Sequence, residues 1–262
     1  MTNRDYTYDK STRKPIRPLK ALKHFRNLMA DKEDTSQVFH IINELNGDNF
    51  QKFFCRFANS PEGRKHIEAG LFLPTMLDDH EKIRKLPEGT VGRAYVEFME
   101  SQGLTAQGLV DEYESFDSKA RDKWSPEMIT FGNRLRDTHD LVHVMTGYSR
   151  DALGEACVLG LSYSQHGGRG LTFIAHMAGW EVKKSAPKGA PVMRAVREGH
   201  KIGKTATDLV YLDIEALLAM DLEAARAKYG YITPETYFKV HDCMRAAGMD
   251  PYAFIGGEAA LA

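Results

Sequence analysis

This 262-residue chain predicts an all-α fold, a single-domain multi-helix bundle, and three observations carry that prediction. Apolar residues recur at three- and four-residue intervals in one segment after another. Helix start and stop signals bracket those segments, most clearly Ser-Pro before them and Gly after. No run alternates apolar and polar residues like a half-buried strand, and no internal repeat or low-complexity block breaks the pattern.

Residues 1–18 read as a basic tail and residues 19–262 as the single helical domain. Leu19, Leu22, Phe25 and Leu28 share one stripe of a helix over 19–30. A second apolar face runs through TSQVFHIINEL and stops at Asn46-Gly47. A third, GDNFQKFFCRFA, opens with Asp48 as a cap and ends before Ser60-Pro61. Helical patterns follow near 61–69, 91–101 and 105–119. Ser125, Pro126 and Gly147 then delimit one helix over SPEMITFGNRLRDTHDLVHVMTG. The next runs from Ser149 to about Tyr163 and is followed by the loop QHGGRG. A short helical pattern spans Leu171–Trp180, KKSAPKGAP reads as loop, a long helix is expected from about 205 to 228, and Thr233-Pro234 opens the last one.

Composition narrows the function. A hydrophobic content of 42%, a charged content of 27% and a net charge of -1 describe a globular protein with no general attraction to nucleic acid. No stretch reaches the roughly 18 apolar residues of a membrane span, and the polar opening MTNRDYTYDKSTRK is not a secretory signal. Cys55, Cys157 and Cys243 form no C-x-x-C pair, which argues against disulfides and thiolate zinc and for a reducing cytoplasm. Charge is uneven: residues 1–30 hold eight Lys/Arg against two Asp, and residues 183–204 hold seven against one Glu. Each segment is a solvated face or a surface for anionic lipid, and the apolar stripe of the first suits an interfacial helix.

The stretch RLRDTHDLVHVMTGYSRDALGEA concentrates the candidate chemistry. His139 and His143 are one helical turn apart, on a stripe that continues through Leu135 and Val142 towards Phe131. Two imidazoles so placed reach one ion about 2 Å from each nitrogen. Glu155 interrupts an otherwise apolar helix, where an ionised carboxylate costs several kcal/mol (roughly) unless paired or metal-bound. In an antiparallel hairpin around MTGYSR, His143 and Glu155 come to the same height, so His139, His143 and Glu155 form one cluster. Asp140 is a fourth ligand, a base for bound water or a partner of a ligand. Imidazole and carboxylate without thiolate suit zinc, iron, manganese or cobalt. Chance histidine spacing, with Arg136 or Arg150 simply pairing Glu155, is the ordinary alternative. Tyr148 and Arg150 in the turn are either contacts for a bound anion or ordinary turn-surface residues, the latter being the expectation, and ordinary roles are expected for His166, Phe173, His176, Trp180 and the pair His241-Asp242.

The same stretch resembles the Coq4 family of ubiquinone-biosynthesis proteins, whose motif is H-D-x-x-H-x(11)-E. SPEGRKHIEAG, LPEGTVGRAYVEFM and GEACVLGLSYSQ extend the likeness over most of residues 19–240, leaving Asp242 to Ala262 outside it. The resemblance implies an all-helical fold and a divalent metal, zinc before iron, manganese or cobalt, held by His139, Asp140, His143 and Glu155. It implies removal of the ring carboxyl of a prenylated hydroxybenzoate with hydroxylation at carbon 1, and an apolar groove for the isoprenoid tail. It further implies peripheral attachment to a membrane, here the inner face of the cytoplasmic membrane, beside other quinone-biosynthesis enzymes and with a homodimer as a possible state. Asp140 is the catalytic candidate.

Two other classes compete. A non-enzymatic, lipid-binding scaffold organising quinone-biosynthesis enzymes fits the basic segments and the absence of a G-x-G-x-x-G redox fingerprint. A zincin-like hydrolase would use Asp140 as general base.

Overall fold

A computed structural model describes residues 5–30, 36–70, 72–106 and 124–252, and their regular structure is helical, as expected. In order come α1 (Pro18–Ala30), α2 (Ser36–Asn46), α3 (Asn49–Ala58), α4 (Pro61–Ala69), α5 (Leu73–Leu77), α6 (His80–Ile83) and α7 (Val91–Ser101). After these follow α8 (Pro126–Asp137), α9 (His139–Thr146), α10 (Ala152–His166), α11 (Arg169–Ser185), α12 (Val192–Thr205), α13 (Ile214–Leu218), α14 (Leu222–Tyr229) and α15 (Glu235–Ala246). The helix expected over 105–119 lies outside the described residues beyond Ala106.

Side-chain caps explain many of the boundaries. Ser60 accepts from the Gly63 amide and Ser125 from the Met128 amide, each with Pro at the first helical position. The single helix expected to end at Gly147 is divided at Thr138, whose hydroxyl donates back to the Arg134 carbonyl at 2.9 Å. The Val142 amide still donates to the Thr138 carbonyl, so the turn carries through.

The long helix expected over 205–228 does not form. Asp208, Asp213 and Asp221 each accept a backbone amide two or three residues on, from Val210, Ala216 and Ala224. Each aspartate therefore starts a new short element instead of lying inside a long one. Helix instead occupies Val192–Thr205, in the basic segment, and α11 runs on through Lys183 and Lys184.

The described residues divide into two compact units. One is drawn from residues 5–8, 51–70, 72–106, 124–145 and 207–231. There α7 packs against α6, α13 and α14, and α8 against α4 and α5. Phe131 meets Phe53 edge-on at 5.0 Å and Phe57 at 4.9 Å. Such ring pairs add about 0.5–1.5 kcal/mol beyond area burial. The other unit is drawn from residues 9–30, 36–50, 146–206 and 232–252. There α10 packs on α11 and α12, α12 also on α15, and α2 on α1 and α11. A Cβ on Gly199 would lie 2.3 Å from the Cys157 carbonyl oxygen, so only glycine permits α12 to approach α10 this closely.

Candidate metal centre

α9 carries both histidines on one face, with their Nε2 atoms 3.3 Å apart. Phe98 of α7 stacks on the His143 ring at 5.5 Å and 19°. The end of α9 is held by Arg226 of α14, which donates to the carbonyls of Met145 at 3.0 Å and Val144 at 2.9 Å. These bonds satisfy last-turn carbonyls that a helix leaves open and bring a cation to its negative end.

Glu155 lies in the first turn of α10 and is buried. Asp151 caps that turn, accepting from the Leu153 and Gly154 amides at 3.1 and 3.2 Å. The cap is itself clamped by α15. The Tyr237 hydroxyl donates to Asp151 Oδ2 and accepts from the Ser149 amide at 3.1 Å. His241 Nε2 lies 3.3 Å from Asp151 Oδ1. A Cβ on Gly154 would meet the Ser149 carbonyl oxygen at 1.9 Å, so this turn admits only glycine there.

His139, His143 and Glu155 each offer one ligand atom, and these atoms lie within 4.8 Å of one another. Among the described residues no other group of three His, Cys, Asp or Glu side chains meets that spacing. Two imidazoles and a carboxylate are a donor set for zinc or another first-row divalent ion. Three protein ligands would leave a position for water or substrate, as in catalytic zinc sites. The donor set therefore fits the metal implied by the sequence.

Asp140 is buried beside His139 but is not among the three converging donors. Its charge acts on its neighbours. Burial chiefly, and then the Asp140, Asp78 and Asp137 charges, push the Tyr95 hydroxyl far above its usual range. Burial raises Asp137 to about 6 despite Arg136, whose guanidinium donates to it at 3.0 and 3.2 Å. Arg136 donates to Asp137, and Arg150 Nε lies 3.7 Å from Glu155 Oε1.

Sequence reasoning passed over Tyr237 and His241, treating the latter as ordinary. The available signal was their i, i+4 spacing, which puts two polar rings on one helix face. Phe98 and Arg226 carried no signal of their own. His166 lends its carbonyl to Asn49 at 3.1 Å, and His176 bonds to the Thr172 carbonyl at 2.8 Å.

The chain matches the family model described as coenzyme Q (ubiquinone) biosynthesis protein Coq4 over residues 29–235. The mitochondrial ubiquinone biosynthesis protein COQ4 homolog of Aedes aegypti is 35% identical over 105 residues, 39% of this chain and 35% of its own length. That of Danio rerio is 29% identical over 114 residues, 43% of this chain and 38% of its own length. These alignments span little more than a third of the relatives. A crystal structure from Nostoc punctiforme, provisionally described as a ubiquinone biosynthesis protein, covers 81% of this chain and 97% of its own with a TM-score of 0.56. At 18% identity, that likeness is one of fold.

Proposed function

Because the chain belongs to the Coq4 family of coenzyme Q (ubiquinone) biosynthesis proteins, we propose that it acts in that pathway as a metal-dependent enzyme replacing a ring carboxyl with a hydroxyl. The substrate is a prenylated hydroxybenzoate and the exchange is at ring carbon 1. The observation that carries the reading is the convergence of the His139, His143 and Glu155 donors within 4.8 Å. The residues would hold a divalent ion, with zinc favoured, whose Lewis acidity stabilises negative charge at an oxygen of the reacting group.

The exchange is a two-electron oxidation. Carbon dioxide leaves, water supplies the hydroxyl oxygen, and an acceptor takes the electron pair, with dioxygen reduced to hydrogen peroxide as the simplest case. Asp140, beside His139, is the residue we assign to proton movement or to a fourth ligand position. Phe98 holds the His143 ring flat, and Asp151 fixes the turn that presents Glu155.

Complementation of a strain lacking this step tests the proposal. His143→Ala is expected to abolish quinone production and metal uptake together, and full production by that variant refutes the reading.

A membrane surface is part of the proposal. Leu19 is 82% exposed on α1, between Arg17 and Lys20, and Trp180 is 55% exposed with Lys183 beside its ring. No helix among the described residues is long and apolar enough to cross a membrane. These exposed groups support a peripheral position, which we place on the inner face of the cytoplasmic membrane, where the isoprenoid tail of the substrate resides. They equally favour a second reading, a lipid-binding scaffold for other quinone-biosynthesis enzymes. Turnover of a prenylated hydroxybenzoate by the purified protein alone excludes that second reading.

A further inference from the structure

We propose that Arg150 is a recognition residue for a carboxylate on the ligand of the metal centre. The inference rests on the metal-centre reading above, and three observations lead to it.

The first is how little of the Arg150 guanidinium is engaged. Its side chain is 14% exposed, and its Nε lies 3.7 Å from Glu155 Oε1. At that separation the contact is between charges, not a hydrogen bond. Among the described residues, Arg150 has no other charged or hydrogen-bonded partner. Arg134 and Arg226 differ: both direct their N–H groups onto backbone carbonyls. The remaining N–H donors of this partly exposed side chain are uncommitted among the described residues, so a ligand at the site can accept them.

The second is that the residue is held from both sides. The Ser149 amide donates to the Tyr237 hydroxyl at 3.1 Å, and the Asp151 carboxylate caps α10 and accepts from that same hydroxyl. Arg150 therefore sits between two anchored neighbours, which limits the ordering cost of binding.

The third is charge. Arg150 is a cation beside Glu155, a carboxylate among the converging donor atoms. The planar fork of an arginine matches a carboxylate through two parallel hydrogen bonds.

Calorimetric titration of the zinc-loaded full chain tests this with benzoate, its neutral isostere benzamide, and inorganic phosphate. The wild-type protein is expected to bind benzoate at least tenfold more tightly than either benzamide or phosphate. Arg150→Gln is expected to lose about ten- to hundredfold of benzoate affinity with zinc content unchanged. Arg150→Lys keeps the charge and loses the fork, so a loss of about fivefold is expected. Circular dichroism identifies which variants fold, and unchanged benzoate binding in either folded variant overturns the inference. A wild-type preference for phosphate also overturns it, and both results leave the metal centre standing. Failure of the wild-type chain to take up zinc, or equal uptake by Glu155→Gln, overturns the metal reading and this inference with it.

Discussion

Arg134 and Arg150 are both guanidiniums largely withdrawn from solvent, and they sit in regions that use burial for different ends. Arg134 donates to the Val210 carbonyl at 2.8 Å, to the Leu212 carbonyl, and to His66 Nδ1 at 3.0 Å. Its fork is spent on fixed backbone, so it fastens the segment after α12 onto α8. Arg150 makes only a charge contact, with a carboxylate that belongs to a group of metal-ligand atoms. Buried charge alone therefore does not mark a site in this chain. What distinguishes the two regions is where the donors end: on immovable carbonyls in one, and beside converging ligand atoms in the other.

The largest expected effect breaks the first region. Arg134→Ala strands the buried Val210 carbonyl, the part-buried Leu212 carbonyl and a buried imidazole, and should cost about 3–5 kcal/mol in urea denaturation. Under conditions where the variant remains folded, its zinc affinity should match the wild type. A loss of zinc binding as large as that of His143→Ala would mean that the two regions are one functional unit.

A pH series sharpens the same side of the comparison. Burial first, and the Arg134 charge second, depress His66 to about 4 from 6.5. Above about 6.5 the imidazole is neutral in both states and stability is unaffected. As pH falls below that value the unfolded chain takes up a proton that folded His66 refuses, so stability declines until about pH 4. The decline attributable to His66 should total about 2 kcal/mol after allowance for solvent screening. It should be absent in His66→Gln, measured by denaturation at each pH. Equal slopes in the two proteins would show that the fold does not hold His66 neutral.

How much of this was legible in the sequence depends on the reach of each interaction. The histidine pair, Glu155 and the hairpin that matches their heights are encoded within 17 residues, so periodicity and caps sufficed. Spacing offered both Arg136 and Arg150 to Glu155, and it is the packed turn that sets Arg150 Nε 3.7 Å from Glu155 Oε1. The break-up of 205–228 was readable in principle, since Asp208, Asp213 and Asp221 are capping residues. Their helix-compatible neighbours outweighed them in a periodic reading. The clamp of Asp151 by Tyr237 joins residues 86 apart, and the bond of Arg134 to Val210 joins residues 76 apart. No local pattern reports contacts at such separations, so His241 read as ordinary until α15 was placed against the start of α10.

The smallest expected effect is the most discriminating. Tyr237→Phe keeps the ring against Tyr148, 5.1 Å away, and against His241, 4.3 Å away. It removes the hydroxyl that bridges the Ser149 amide and the Asp151 carboxylate. The stability cost should be about 1–2 kcal/mol, the cost of leaving one buried donor unbonded. Zinc affinity should nonetheless fall severalfold, because the turn presenting Glu155 is no longer held on both sides. Thr138→Val serves as the control, since it deletes the hydroxyl bonded to the Arg134 carbonyl at a similar stability cost. If both variants bind zinc equally well, the clamp on Asp151 is mere fastening, as at Arg134. If only Tyr237→Phe weakens, the second region is built to aim a ligand, and the difference between the two buried arginines is functional.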